Sequence, residues 1–193
     1  MKKPNINLLA VIVAVPVIGM TIIAPALTII KNDLNISFEN TQLILTLYFT
    51  FLAFGQILSG PFSDKFGRKP ILLVGASIYS ISAFFASLSS NIEILLILRC
   101  FQGFGAAACL SVGRTILSDC YETKEAAKEM SKMTAIMAVI PISCFIFGGF
   151  LAEFLGWRTN LIALGLISLI LIIAMSFLLN ETLIKKAKSI SFK

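Results

Sequence analysis

The sequence contains no histidine, and only 13% of its 193 residues are charged. Without histidine, the chain lacks the commonest general base and the usual catalytic triads. Its four cysteines form no C-x-x-C pair, so the spacing typical of zinc sites is missing too. The sequence also holds no nucleophile–base set and no phosphate-binding loop. We therefore expect no enzymatic activity, no metal site and no cofactor.

The scarcity of charge is matched by an excess of apolar residues, which make up 58% of the chain. Soluble domains average about 45–50% apolar and about 25% charged residues. The net charge is +6, but the basic residues are not gathered into a face that would bind nucleic acid. This composition predicts an integral membrane protein whose partner is the lipid bilayer, with no nucleic-acid partner.

Six apolar stretches divide the chain, and each is close to the ~20 residues that a helix needs to cross a bilayer. They predict one all-α transmembrane domain over residues 1–193, with helices at about 8–30, 42–62, 70–92, 94–117, 132–152 and 159–180. The fourth stretch is unusual because it contains Arg99 and Arg114.

The lysines and arginines predict the orientation, because cytoplasmic loops carry an excess of them. If the N-terminus is cytoplasmic, only Lys31 and Arg158 lie outside. Twelve bases then lie inside, and they are Lys2, Lys3, Lys65, Arg68, Lys69, Lys124, Lys128, Lys132, Lys185, Lys186, Lys188 and Lys193. We therefore expect a multi-pass protein of the cell (inner) membrane with both termini in the cytoplasm.

A weak internal repeat links the ends of the second and fifth stretches, which read "GPFSDKFGRK" and "GFLAEFLGWR". Gly60, Asp64, Gly67 and Lys69 align with Gly149, Glu153, Gly156 and Arg158, each 89 residues later. Three helices separate the two copies, so they lie on opposite sides of the membrane. This predicts an inverted repeat of three helices plus three, as in many secondary transporters; chance similarity is the alternative.

The first copy, residues 60–69, has side chains suited to a contact that holds one conformation of the protein and is released in another. Glycines at 60 and 67 would let the second helix end and the chain turn. Asp64 can pair with nearby bases or with a helix N-terminus. The alternative is an ordinary cytoplasmic loop whose bases only follow the charge rule for membrane orientation.

Two motifs resemble those of the major facilitator superfamily. "GPFSDKFGRKPILL" is similar to the signature loop between helices 2 and 3, through Gly60, Asp64, Gly67, Arg68 and Lys69. "LRCFQGFGAAACLSVGRTILSDCY" resembles the helix 4 signature, and Arg99, Gln102, Gly103 and Gly105 carry that match. Its continuation with Arg114 and Asp119 resembles the bicyclomycin-resistance-like branch of drug:proton antiporters, as do "APAL" and "GGFLAEFLGWR".

The resemblance implies the N-terminal six-helix half of a transporter that works by alternating access. Three departures accompany it. The chain supplies one of the two six-helix halves, Phe145 stands where the antiporter signature has proline, and Thr21 stands where the branch tends to carry an acid. The implied cargo is small organic compounds, including drugs, moved in exchange for protons. The alternative is a split or truncated half that is inactive alone and needs a second six-helix half or a homodimer.

The candidate residues form two groups. The predicted gating residues are Gly60, Asp64, Gly67, Arg68, Lys69, Arg114 and Asp119. The predicted cavity or proton-coupling residues are Thr21, Gln56, Arg99, Gln102 and Gly103. Alternatives stay open for several of them. Arg99 could be an interfacial anchor, and Gly103 could serve helix packing alone. Gln56 and Gln102 could each form a hydrogen bond to a neighbouring helix.

The predicted orientation can be tested by labelling. In a variant without the native cysteines, Lys65→Cys should react with a membrane-impermeant thiol reagent only when the reagent reaches the cytoplasmic face. Arg158→Cys serves as the matched site and should react only from the opposite face. Labelling of the Lys65 position from the exterior alone would contradict the orientation.

Overall fold

The computed structural model describes residues 4–183, and within that range it is helical, with no strand. The helices are α1 (Ile6–Thr21), α2 (Leu27–Asp33), α3 (Phe38–Phe66), α4 (Arg68–Ser87), α5 (Ile92–Cys120), α6 (Thr123–Leu155) and α7 (Trp157–Leu178), with a short 3-10 helix at Ala24–Ala26. They provide six spans long and apolar enough to cross a membrane, as predicted, because α1 and α2 together form the first. Six of the predicted cytoplasmic lysines lie outside the described residues: Lys2, Lys3, Lys185, Lys186, Lys188 and Lys193.

The first span is interrupted, although the sequence predicts one helix over 8–30. The side chain of Asn5 caps α1 by accepting hydrogen bonds from the amides of Asn7 and Leu8 at 2.9 and 3.4 Å. Beyond Thr21 the chain tightens into the 3-10 turn that contains Pro25, and α2 then continues to Asp33. Proline has no N–H, so a regular α-helical ladder cannot pass through this position unchanged.

Two glycines produce the sharp turns of the predicted repeat. Gly67 has φ 113° and Gly156 has φ 85°, and these are the glycines with positive φ among residues 4–183. Each ends one long helix and starts the next, Gly67 between α3 and α4 and Gly156 between α6 and α7. Residues with a Cβ atom rarely adopt such φ values. The same backbone requirement therefore explains both aligned glycines, Gly67 and Gly156.

Gly60 does not end a helix, contrary to the expectation from the sequence. Helix α3 continues through Gly60 and Pro61 to Phe66. It has 29 residues, and α6 has 33. At about 1.5 Å per residue they measure roughly 43 and 50 Å, longer than the ~30 Å apolar core of a bilayer. Helix α6 begins at Thr123, whereas the sequence predicts that the fifth helix starts at about residue 132.

Helix α5 lies at the centre of the bundle and packs against α1, α3 and α4. Its small residues allow this close approach. A Cβ atom at Gly103 would collide with the backbone of Tyr48 in α3, and one at Gly105 would lie 2.5 Å from the carbonyl oxygen of Gly75 in α4. Packing thus accounts for Gly103 in this structure.

Buried hydroxyl groups join α4 to α7. Ser80 donates to the carbonyl oxygen of Gly165, and Ser168 donates back to that of Ala76, both at 2.9 Å. All four residues are buried. Interhelical bonds of this kind are worth about 0.6 kcal/mol on average in membrane proteins. They therefore add little to the stability of the α4–α7 pair and mainly fix the register of one helix against the other.

The glycines also provide a stability test. Gly105→Ala should destabilise the bundle by about 1–3 kcal/mol, because the new methyl group overlaps the backbone of α4. Gly60→Ala is the matched control: nothing lies within 4 Å of its Cβ position, and alanine favours helix by up to about 1 kcal/mol. Thermal unfolding in detergent measures both, and equal melting temperatures for the two variants would contradict the packing.

Candidate functional site

Arg68, the first residue of α4, connects three helix ends. Its Nη1 atom lies 2.5 Å from the carboxylate of Asp64 in the last turn of α3, and its Nε donates to Asp119 near the end of α5 at 3.0 Å. Nη1 also donates to the hydroxyl of Ser63. We call Ser63, Asp64, Arg68 and Asp119 the Arg68 cluster.

The Arg68 cluster is only partly shielded from solvent. The arginine side chain is 8% exposed, whereas those of Asp64 and Asp119 are 51% and 29% exposed. Guanidinium is suited to this place because it stays charged and presents several donors in fixed directions. Loss of either carboxylate would leave the buried arginine less well compensated.

Glu181, just beyond α7, closes the same end of the bundle. Its Oε1 and Oε2 atoms accept the backbone N–H groups of Arg68 and Lys69 at 3.0 and 3.2 Å. These are free donors at the start of α4, where a negative charge is favoured by the helix dipole. The Nζ atom of Lys69 donates to the carbonyl oxygen of Ser176 in α7 at 2.8 Å, so three bonds, all donated by the first two residues of α4, join α4 to the end of α7 and to Glu181 beyond it.

The hydrogen bonds to Glu181 favour its charged form. Partial burial opposes ionisation, but four backbone N–H groups donate to the carboxylate, including those of Thr182 and Leu183, and the net effect lowers the pKa of Glu181. A Cβ atom at Gly67 would lie 2.5 Å from its Oε2. Glycine is therefore needed at 67 both for its φ and for the approach of this carboxylate.

Arg99 lies inside the bundle with 0% of its surface exposed. Its guanidinium contacts Gln102 Oε1 at 2.5 Å and the carbonyl oxygens of Gly19 and Ile44 at 3.2 and 3.4 Å. The ring of Tyr48 lies 4.2 Å away. All these partners are neutral, and among residues 4–183 no carboxylate forms an ion pair with Arg99.

The other predicted residues lie in different surroundings. Gln56 is half-buried on α3, and the hydroxyl of Thr21 donates to the carbonyl of Val17 in its own helix at 2.8 Å. Arg114 is exposed on α5 and makes no ion pair with any residue from 4 to 183. The structure thus brings Asp64, Arg68 and Asp119 together and leaves Arg114 apart.

A second polar cluster, at the other end of the bundle, was not predicted. Asp33 accepts hydrogen bonds from Trp157 Nε1 at 2.9 Å and from Arg158 Nη1 at 2.8 Å, and Arg158 also donates to the carbonyl oxygen of Ser89 at 3.2 Å. We call Asp33, Trp157 and Arg158 the Asp33 cluster. Its only sequence signal was the alignment of Arg158 with Lys69, since nothing in the repeat pointed to Asp33.

Two further contacts with functional weight had little sequence signal. Glu181 stands in a short polar stretch after the last apolar run, where its partners 113 residues earlier cannot be read from spacing. Asn160 is buried in α7 and bonds the carbonyls of Ile22, just beyond α1, and of Gly148 in α6. A lone asparagine within an apolar run is the signal that could have indicated it.

Comparison with known proteins identifies a family. The sequence profile of the Major Facilitator Superfamily matches residues 9–192. The bicyclomycin resistance protein homolog of Haemophilus influenzae is 30% identical over 90% of this chain and 44% of its own length. The chloramphenicol resistance protein of Pseudomonas aeruginosa is 33% identical over 77% of this chain and 36% of its own length.

A solved structure shows the same fold. A bacterial homolog of the human lysosomal transporter Spinster, in an inward-facing and unoccupied conformation, superposes with a TM-score of 0.80 at 21% identity. The match covers 95% of this chain and 44% of that one. The chain therefore spans less than half the length of each of these proteins.

The Glu181 contacts predict a pH-dependent stability. A carboxylate whose pKa is lowered on folding stabilises above its unfolded value of about 4.5, and this contribution is lost as the pH falls through the folded pKa. Glu181→Gln should therefore cost about 0.3–1 kcal/mol at pH 7, and the difference from the parent should vanish in acid. Melting temperatures of both proteins from pH 7 to pH 3 measure it. A difference that persists unchanged to pH 3 would contradict the role of the charge.

Proposed function

Because the chain belongs to the Major Facilitator Superfamily, whose members are transporters rather than enzymes, we propose that it moves small organic compounds across a membrane by alternating access. The cargo class follows from its relatives, which are named for resistance to bicyclomycin, chloramphenicol and multiple drugs. Efflux in exchange for protons fits that class. The membrane is the inner one, with both chain termini in the cytoplasm.

The observation that carries the proposal is the Arg68 cluster. It links the ends of α3, α4 and α5 by contacts of 2.5 to 3.0 Å between the buried Arg68 and two carboxylates that are 51% and 29% exposed. Because water reaches both carboxylates, water can replace Arg68 at either of them when that contact breaks. We therefore assign Asp64, Arg68 and Asp119 to gating, with Gly67 setting the turn and Lys69 and Glu181 joining the cluster to α7.

Arg99 would act inside the six-helix bundle rather than at its surface. A membrane-embedded arginine is expensive and is typical of a functional position. Here neutral oxygens and the Tyr48 ring hold its charge. We propose that Arg99 and Gln102 tune the electrostatic potential at a cavity or proton site that forms when the helices around them separate.

The position of the acids bears on proton coupling. In the spans of the described chain, the acidic side chains lie within the first seven or the last three residues of a helix, such as Glu129 in α6 and Glu153 near its end. Thr21 replaces the acid expected in the first span. We propose that a proton-carrying carboxylate, where one is used, is provided by a second six-helix half.

The alternative function is that of a half-transporter, inactive alone. Rocking between two bundles requires two bundles, and the chain spans less than half the length of its relatives. Helices α3 and α6 have the smallest buried fractions of the spans, 22% and 17%. Their exposed faces are available to a separate second half or to another copy of this chain as well as to lipid.

A dye-efflux assay separates these functions. Proteoliposomes holding the chain alone, and others holding it with a separately expressed second half, are loaded with dye and given a proton gradient. Efflux by the chain alone supports an autonomous or homodimeric transporter. Efflux only in the second preparation supports the half-transporter, and no gradient-dependent efflux in either would contradict the proposed transport.

The gating role is tested in whichever preparation is active. Asp64→Asn should lower the efflux rate about tenfold, equivalent to about 1.4 kcal/mol in the barrier, because Arg68 loses a charged partner. Glu153→Gln is the matched control: it occupies the equivalent position of the repeat, is exposed, and makes no ion pair among residues 4–183. Equal rates for the two variants would argue against gating by the cluster.

A further inference from the structure

The interruption of the first span leaves two backbone carbonyls without their helical donors. In a regular helix, the amide of Ile23 would bond to Gly19 and that of Ala26 to Ile22. Here both amides bond one residue nearer, Ile23 to Met20 at 3.3 Å and Ala26 to Ile23 at 2.9 Å. The carbonyl oxygens of Gly19 and Ile22 are therefore free to accept other donors, and in a bilayer they must find them within the protein.

Side chains from two different helices satisfy these carbonyls. Arg99 of α5 donates to Gly19 at 3.2 Å. Asn160 of α7 donates through Nδ2 to Ile22 at 2.8 Å. On the α1 side of the break, the hydroxyl of Tyr48 in α3 adds a bond to the carbonyl of Pro16 at 2.9 Å. The two sides of the break are thus held by different parts of the bundle.

Asn160 forms a buried junction between α7, α6 and the break in the first span. Its side chain has 0% exposure, and Nδ2 also donates to the carbonyl of Gly148 in α6 at 3.0 Å. Gly148 lies directly against Ile22, since a Cβ at Gly148 would overlap the backbone there. The amide of Asn160 therefore donates to two backbone carbonyls, and no residue from 4 to 183 donates to its Oδ1.

The same turn of α7 also holds the far end of the segment that follows the break. Trp157 and Arg158 donate to Asp33 at 2.9 and 2.8 Å. We define residues 22–33 as the distal segment. Its first residue is bonded to Asn160 and its last to Trp157 and Arg158, so one short stretch of α7 is bonded to both of its ends.

We infer that Asn160 is a positioning residue that couples the distal segment to α7, and that the break near Ile22 is the hinge at which α1 bends. Side-chain hydrogen bonds from α3 and α5, made by Tyr48 and Arg99, hold the residues of α1 before the break. Side-chain hydrogen bonds from α7 hold both ends of the distal segment, which also packs against α3 and α6. In the proposed alternating-access cycle, a relative movement of these helices would be taken up at the break. The role in transport rests on the proposed function, whereas the coupling does not.

Hydrogen–deuterium exchange in lipid nanodiscs tests the coupling without any transport. Asn160→Leu keeps a similar volume and removes the donors. It should raise the exchange rate of residues 22–33 roughly threefold to tenfold, the range expected for loss of an interhelical bond, and leave residues 6–21 unchanged. Tyr48→Phe removes one hydroxyl on the other side of the break and should give the reverse pattern.

Two controls separate local release from general destabilisation. Within the described part of the chain, the hydroxyl of Thr159 bonds only to the carbonyl of Leu155, at 3.0 Å, so Thr159→Ala should change neither segment. Leu164 is buried in α7, and Leu164→Ala should raise exchange across the helices without preference for residues 22–33. Asp33→Asn, at an exposed site, should loosen the distal segment even where the Asn160 variant fails to fold.

The coupling is overturned by either of two results. One is an exchange rate of residues 22–33 in Asn160→Leu and Asp33→Asn that equals that of the parent protein. The other is an equal rise in the exchange rates of residues 6–21 and residues 22–33. Because exchange is measured on the chain without substrate or gradient, a failure here is distinct from a failure of the efflux assay.

Discussion

A helix in a bilayer has no water to bond its free backbone groups, so every departure from regular helix needs a partner in the protein. This constraint explains the positions of the buried Arg99 and Asn160, and a related need for partners arises at the partly exposed start of α4. Arg99 and Asn160 bond carbonyls freed at the break in the first span. Glu181 bonds the free amides at the start of α4. In each case a side chain distant in sequence completes a local irregularity.

The two ends of the bundle stabilise similar helix starts, those of α4 and α7, with different contacts. Both α4 and α7 start directly after a glycine with positive φ, and each has a basic residue in its first turn. At one end Arg68 is shared between two carboxylates and Glu181 caps the helix. At the other, Arg158 and Trp157 share the single carboxylate of Asp33. The weak sequence repeat therefore reflects a shared backbone turn, while the ion pairs around it differ.

Local features of the sequence predicted the number of spans and the turn at Gly67. Hydropathy located the six spans because the apolar core of each is a continuous run, but it missed the polar ends of α3 and α6, which are helical and extend beyond that core. Gly60 and Gly67 looked equivalent as turn residues, yet only Gly67 has a positive φ. The sequence could not distinguish them, because glycine also occurs where helices simply continue.

By itself, the sequence determined the membrane class, the six spans and the family resemblance, because apolar runs, charge bias and the glycine–acid–base motif are properties of neighbouring residues. Only the tertiary structure decided which charges meet and which carbonyls need a donor. The bond from Arg68 to Glu181 joins residues 113 apart, and that from Asn160 to Ile22 joins residues 138 apart. Such pairs follow from how the helices pack and where the first span breaks, and no local pattern encodes either.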